Sequence, residues 1–245
     1  MKQVVLTILE NTPVTSGVMK MVLGGDVSAI TAPGQFVNIL IDGLFLRRPI
    51  SVCDCADGKL VILYKVVGKG TEKMQKMQAG ESLDVLTGLG NGYDLTPAGE
   101  RVLLLGGGVG VPPLYMLAKK LLAAGKEVSV ILGFNKKDEV FYAEEFRALG
   151  ADVTVTTVDG SLGVKGFVTD AMRNADYSYF YTCGPEPMLK AVYATSKTSG
   201  QFSFEERMGC GFGACMGCSC KTVTGYKRIC KEGPVLQKEE ILWEK

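Results

Sequence analysis

The stretch from Glu205 to Pro234 limits what this chain can fold into more than any other, because five of its eight cysteines crowd into it. It opens E-E-R-M-G-C-G-F-G-A-C-M-G-C-S-C-K and closes on C-K-E-G-P. Cys210, Cys215 and Cys218 form a C-x4-C-x2-C array, and Cys230 follows after eleven intervening residues. Four thiolates at this spacing hold a [2Fe–2S] cluster. Gly209, Gly211, Gly213 and Gly217 alternate with the thiols, and a loop wrapping a cluster needs the close approach and positive φ that glycine allows. Two blander frameworks compete. Structural zinc sites pair two short hairpins of ligands, whereas here three cysteines share one loop. A disulfide framework belongs to a secreted chain, and this one opens on a strand-like Met1-Lys-Gln-Val-Val-Leu in place of a signal peptide. Cys220 is a fifth candidate, so the choice of four ligands stays open on spacing alone.

The remaining composition is that of a globular protein with a sizeable core: 245 residues, 47% hydrophobic and 22% charged. A formal net charge of +1 argues for no nucleic-acid partner, and no apolar run approaches the roughly 18 residues of a membrane span. A reducing, cytoplasmic setting is expected. The chain has no His, which excludes hydrolytic triads and His-ligated metals and removes the usual proton shuttle near neutral pH.

Residues 1–97 carry short apolar runs between turn signals: Val4–Leu9, Val18–Leu23, Gln35–Ile41, Pro49–Cys53, Leu60–Val67 and Ser82–Leu86. Six such strands predict a small closed antiparallel barrel, with one short helix from Thr71 to Gln78. The rhythm changes over residues 98–205. Strands at Val102–Leu105, Val128–Phe134, Val153–Val158, Tyr179–Cys183 and Phe202–Phe204 alternate with helices at Pro113–Ala124, Val140–Leu149, Val168–Ala175 and Pro187–Ser199. That alternation predicts a doubly wound parallel sheet. Residues 206–245 form the cysteine-rich third unit, too short to fold without its metal or a neighbour.

The first sheet strand runs into Gly106-Gly-Gly-Val-Gly-Val-Pro112-Pro113. Glycines at 106, 108 and 110 let backbone N–H groups approach a pyrophosphate, and the next helix adds its positive end; a plain tight turn is the alternative. The fourth sheet strand ends in Cys183-Gly184-Pro185 at the carboxyl edge, where such sheets bind ligands. Alone, Cys183 reads as a small buried hydrophobe; the glycine loop beside it favours a nucleotide site. In the barrel, Arg48 of Arg-Arg-Pro-Ile-Ser51 can hold a phosphate, and Gly68-Lys-Gly70-Thr71 offers a diphosphate seat at a helix start.

R-P-I-S, G-x-G-T, G-G-G-x-G-x-x-P and C-G-P-x-P-M, in this order, resemble the ferredoxin–NADP reductase superfamily, whose members join a flavin-binding barrel to a nicotinamide-binding domain. With the tail C-G-x-G-A-C-x-x-C…C-x-x-G-P-V, the whole chain resembles the electron-transfer subunits of type B dihydroorotate dehydrogenases. The resemblance implies that Arg48, Pro49, Ile50 and Ser51 bind FAD, as do Leu63, Tyr64 and Lys65, and Gly70 with Thr71. It implies Cys210, Cys215, Cys218 and Cys230 as cluster ligands and matches Cys220 to none. It also implies NAD(H) as the third cofactor, and a partner, the FMN-containing catalytic subunit that oxidises dihydroorotate in pyrimidine biosynthesis, in a heterotetramer of two plus two. Electrons would then run from dihydroorotate through FMN, cluster and FAD to NAD. One departure stands out: no acidic residue ends the second sheet strand to take a ribose 2′-OH. Phe134-Asn-Lys136-Lys137 follows instead, so the residues themselves leave NADP open. Reductase subunits of ferredoxin, sulfide or hydrogenase systems share the same modules, and a redox sensor or zinc-stabilised binding module is the non-enzymatic alternative.

Overall fold

The structure, a computed structural model, describes residues 1–243. In β1 (Lys2–Pro13), Leu6 and Ile8 are buried between exposed neighbours, the period-2 pattern of a strand with one wet face. β2 (Val18–Gly24), β3 (Phe36–Ile39), β4 (Arg48–Ala56), β5 (Lys59–Lys65) and β6 (Ser82–Leu89) close a barrel in the order β1-β2-β5-β4-β3-β6. All pairings around it are antiparallel. Its interior holds Met21, Leu23, Ile39, Ile62 and Tyr64. The expected helix opens two residues early, as α1 (Lys69–Lys76). Thr71 is its third residue, and its Oγ1 accepts the N–H of Val67 at 2.9 Å and of Gly68 at 3.3 Å, closing the first turn from inside.

The second unit follows the predicted alternation: β7 (Arg101–Gly107), α2 (Pro113–Ala123), β8 (Glu127–Phe134), α3 (Ala143–Ala148), β9 (Asp152–Thr157), a two-residue β10 (Val164–Lys165), α4 (Val168–Met172), β11 (Tyr179–Cys183), α5 (Glu186–Thr195) and β12 (Gly200–Ser203). Odd and even positions of β7 serve opposite faces. Val102 and Leu104 pack with Leu114, Leu117 and Leu121 of α2, while Leu103 and Leu105 pack with Val168 of α4 and Leu189 of α5. Helices therefore cover both faces, as a parallel sheet requires. The helix expected over Val140–Leu149 is shorter because Tyr142 adopts a left-handed backbone, φ 66°, which an α-helix of L-residues does not accommodate. α2 also lies against β4 of the barrel, where Lys119 Nζ meets Asp54 Oδ2 at 2.7 Å.

The third unit differs most from expectation. β13 (Ser219–Thr222) and β14 (Gly225–Arg228) form a hairpin, but β15 (Val235–Gln237) leaves it and joins the sheet antiparallel to β12, with Phe202 opposite Leu236. The sheet order is β10-β9-β8-β7-β11-β12-β15, so a parallel sheet gains an antiparallel edge from the tail. Asn91, just past β6, fastens this edge: its Nδ2 donates to the Val235 carbonyl at 2.7 Å and its Oδ1 accepts the Val235 N–H at 3.1 Å. The tail's core is borrowed. Ile229, Leu236 and Ile241 share one apolar cluster with Phe36 and Leu89 of the barrel and Leu105 and Phe202 of the sheet. Each such buried side chain contributes about 1.5–3 kcal/mol, so the neighbour that the tail needs is the rest of the chain. No helix of the described residues is long and apolar enough to cross a membrane.

Candidate functional site

The sheet strand order, read from β9 to β12, reverses between β7 and β11, and ligands bind at such switch points. The glycine turn and Cys183-Gly184-Pro185 meet there. Gly108–Gly110 form a single 3₁₀ turn, and Gly108 needs its positive φ of 51°. A Cβ on Gly110 would run into the carbonyl of Cys183, so the two segments touch backbone to backbone. A cleft of about 750 Å³ opens above them. Its walls come from both units: Gly107–Gly110 and Gly184–Pro185 from the sheet, Gly17, Val18 and Lys65 from the barrel.

Two expected residues lie off this cleft. Gly106 sits beneath α2, where a Cβ would come within 3.0 Å of Val111 and 3.1 Å of Leu114; it lets helix and strand pack closely. The Cys183 thiol turns toward Ser203, and burial pushes it up to about 12, so it stays protonated at neutral pH. Several cleft residues have no sequence signature, among them Thr15 and Gly17 in the β1–β2 hairpin, and Glu139. Glu139 brings a carboxylate close to the end of β8: its Oε2 accepts Asn135 Nδ2 at 2.8 Å, and both residues line the cleft. Lys136 and Lys137 are exposed and do not line it.

On the barrel, Pro49 pairs with Asn38 and Ser51 with Phe36 across β4 and β3, so all four side chains share one face. That face is outward, because Ile50 and Val52 pack into the barrel core. Arg48 reaches the start of α1: a Cβ on Gly70 would overlap its guanidinium. Among the described residues, Arg48 has no carboxylate partner; it donates to the carbonyls of Leu46 and Arg47. A free guanidinium beside a helix N-terminus fits a diphosphate. Leu63 faces the sheet. Tyr64 turns into the barrel, its hydroxyl donating to Asn11 Oδ1 at 2.9 Å. Only backbone atoms of Tyr64 can therefore face a bound flavin. Asn38 Oδ1 is buried with no partner, an orphaned acceptor on the same outward face, as a face kept for a ligand would show.

The cysteines of the tail come as pairs. Cys210 Sγ accepts the Cys215 N–H at 3.4 Å, and Cys218 Sγ accepts the Cys230 N–H at 3.4 Å. Burial would raise the Cys210 thiol, but N–H groups of Phe212, Cys215 and Ala214 and the Cys215 thiol hold it down at about 6. Among the described residues, no three Cys, His, Asp or Glu side chains converge as they would on one metal ion. Two pairs of thiols with N–H donors aimed at sulfur fit a two-iron cluster, two ligands to each iron, better than one zinc. Cys220, on β13, instead lines a second cavity with Phe204, Leu236 and Trp243. The loop is clamped from outside: Arg228 Nη1 donates to the Gly213 carbonyl at 2.6 Å, and Asn38 Nδ2 to the Cys210 carbonyl at 3.1 Å.

Comparison with known proteins agrees with this division. Residues 205–242 match the family model described as the iron–sulfur cluster binding domain of dihydroorotate dehydrogenase B, and residues 104–194 match the oxidoreductase NAD-binding domain. The chain is 43% identical to the electron transfer subunit of dihydroorotate dehydrogenase B (NAD(+)) from Fusobacterium nucleatum, over 96% of each chain. It is 42% identical to that of a Geobacillus species, over 99% of each. Among solved structures, it superposes on an NADH-dependent reduced ferredoxin–NADP oxidoreductase with a TM-score of 0.89 at 32% identity, covering 97% of this chain and 90% of that one. A ferredoxin–NADP+ reductase from Neisseria gonorrhoeae, solved with FAD and NADP, shares the fold at a TM-score of 0.70 and 19% identity, over 80% of this chain and 90% of that one. Barrel, sheet, cysteine-rich tail and relatedness over nearly the full length lead to one conclusion: the chain belongs to the family of dihydroorotate dehydrogenase B electron transfer subunits.

Proposed function

We propose that this chain relays electrons between NAD(H) and a separate FMN-bearing catalytic subunit that oxidises dihydroorotate, in pyrimidine biosynthesis. The observation that carries the proposal is the shared cleft: sheet-edge glycines and barrel residues face each other across one space, while the cysteine loop docks on the barrel strand beside R-P-I-S. Residues 1–97 would bind FAD, 98–205 NAD(H) and 206–245 the [2Fe–2S] cluster. When bound, FAD supplies the exchange between two-electron hydride chemistry and one-electron traffic.

The chain's own residues bind, orient and exclude. Arg48 and the N–H groups at Gly70 and Thr71 hold the FAD diphosphate, and Pro49, Ile50, Ser51 and the Leu63–Lys65 backbone shape the flavin seat. Gly108 and Gly110 give the NAD pyrophosphate its N–H donors, and Gly184 with Pro185 closes the nicotinamide end. Cys183, held neutral by burial, adds no charge near the reacting ring. Glu139 takes the adenosine ribose, which makes NAD the preferred dinucleotide. Cys210, Cys215, Cys218 and Cys230 hold the cluster. Phe212 and Met216 of the same loop are 43% and 54% exposed; apolar side chains facing outward there suit docking of the catalytic subunit, in a cytoplasmic assembly of two plus two.

A second reading has its own support. The 32% identity to a reduced ferredoxin–NADP oxidoreductase chain fits a reductase subunit serving a ferredoxin system. One experiment separates the two and tests the first. The purified chain should show flavin and iron–sulfur absorption, reduce an artificial acceptor with NADH, and fail to oxidise dihydroorotate until the catalytic subunit is added. A colourless protein, or dihydroorotate turnover by the single chain, would overturn the proposal. Co-purification from the native host with a ferredoxin instead of an FMN protein would favour the second reading.

A further inference from the structure

We infer that Asn38 is a positioning residue that fixes the cluster loop against the flavin face of the barrel. The inference rests on the cofactor assignment just proposed. β3 runs beside the R-P-I-S strand, and Asn38 stands directly across from Pro49. It points outward, because Val37 and Ile39 on either side of it fill the barrel core. Its side chain is 1% exposed. Nδ2 donates to the main-chain carbonyl of Cys210 at 3.1 Å. Only the amide nitrogen can donate to a carbonyl, so this contact fixes which way the carboxamide faces.

The next residue confirms how closely the two segments fit. Gly211 has φ 78°, and a Cβ there would collide with the Asn38 amide. A side chain of the flavin-binding barrel therefore grips the first cluster ligand at its own carbonyl and excludes a side chain at the residue after it. The other end of the carboxamide is unspent: Oδ1 is buried without a partner. A buried acceptor left bare is costly, so the carboxamide is held in place by its Nδ2 contact with the loop. One carboxamide thus lies between the two sites. Asn38 touches no thiol; it acts through the Cys210 backbone and sets where that thiol sits relative to the flavin seat.

Two variants of the full-length, cofactor-loaded chain test this. Asn38→Leu keeps the volume but has nothing to donate to the Cys210 carbonyl; Asn38→Ala removes the side chain. Both should keep FAD, since Arg48 and α1 hold its diphosphate. Both should lose iron to a chelator about tenfold faster than the parent, the lower end of what removing a supporting hydrogen bond around a metal site does. Both should also show a shifted electron paramagnetic resonance spectrum of the reduced cluster, a signature that a merely structural role would leave alone. If Asn38→Leu matches the parent in both chelation rate and spectrum, the amide donor does not position the loop. Loss of FAD in step with iron in both variants would mean general barrel damage and would equally overturn the inference. A parent chain with no [2Fe–2S] signal at all would instead bring down the cofactor assignment beneath it.

Discussion

The nucleotide cleft and the cluster loop achieve binding by opposite means. The sheet edge of the cleft is made of main chain: strand ends, a one-turn glycine helix and a backbone contact between Gly110 and Cys183, all set by a core that fills both faces of the sheet. The cluster loop is made of side chains and is held from outside by Asn38 and Arg228. The same residue type shows the difference. Burial pushes the Cys183 thiol up to about 12, whereas N–H donors hold Cys210 down at about 6 against its burial. Burial pushes Cys230 up to about 12 as well, so what sets the loop apart is the set of N–H donors around Cys210. A site built from backbone should tolerate change in its side chains and fail when its backbone spacing is forced. A site built from side chains should do the reverse.

The largest effect expected is on the loop. Cys215→Ser should lose the cluster entirely, because each thiol of a pair has no substitute, while Cys220→Ser should keep it, since that thiol faces Leu236 and Trp243. Iron and sulfide assays with the visible spectrum decide it. The fold sharpens the consequence. Metal loss should release residues 208–218, but β15 should keep its amide protection in hydrogen exchange, because Leu236 and Asn91 anchor it independently of the metal. Loss of protection across β15 would show that the tail depends on its cluster throughout.

Next comes Gly110→Ala. The added methyl meets the Cys183 carbonyl, a backbone atom that cannot swing away. Overpacking of this kind costs about 1–3 kcal/mol, and displacing a reacting geometry by about 1 Å can cost about a hundredfold in rate. NADH-dependent acceptor reduction should fall about a hundredfold with the cluster spectrum unchanged. Activity near that of the parent would mean the cleft does not need this contact.

The sequence told these regions apart unevenly. Thiols and clustered glycines mark their chemistry in one dimension, so Cys210, Gly108 and the R-P-I-S strand were legible, as were the six barrel strands with their alternating burial. What was hidden depends on partners far apart in the chain. Nothing about Val235–Gln237 announces that it will pair with β12, and a polar Asn38 inside an apolar strand gives no hint that a loop more than a hundred residues later will cover it. The sequence showed that the tail needs its metal or a neighbour, but not that the barrel and sheet would be that neighbour. Glu139 was missed for a subtler reason: an acid was sought at the end of β8 itself, and a short 3₁₀ turn brings one to that edge five residues later.

Arg48→Ala is expected to have a moderate effect, and on a different observable. A charge-assisted bond to phosphate is worth about 1.5–3 kcal/mol, so FAD should bind roughly ten- to a hundredfold more weakly. The barrel should stay folded, because the Arg48 side chain lies at the mouth and not among the core residues. Stoichiometric FAD with unchanged affinity, read by flavin fluorescence on dilution, would remove Arg48 from the phosphate site.

The smallest expected effect tests the dinucleotide itself. Glu139, held by Asn135, and Glu205 are carboxylates lining the cleft, and Glu139 is the one close to the end of β8; Lys136 and Lys137 do not line it. A carboxylate accepts a hydrogen bond from a ribose 2′-OH and repels a 2′-phosphate, so charge and position together favour NADH. Glu139→Gln keeps the length and an acceptor oxygen but removes the repulsion and the ionic strength of the bond. The KM for NADH should rise by about tenfold, equivalent to about 1.4 kcal/mol, and the KM for NADPH should fall, with kcat little changed, because the ribose lies away from the reacting ring. A rise in the NADPH KM alongside that for NADH would mean that Glu139 only supports the Asn135 turn. Unchanged constants for both dinucleotides would mean that the adenosine ribose lies elsewhere, and that the cleft selects its dinucleotide through backbone alone.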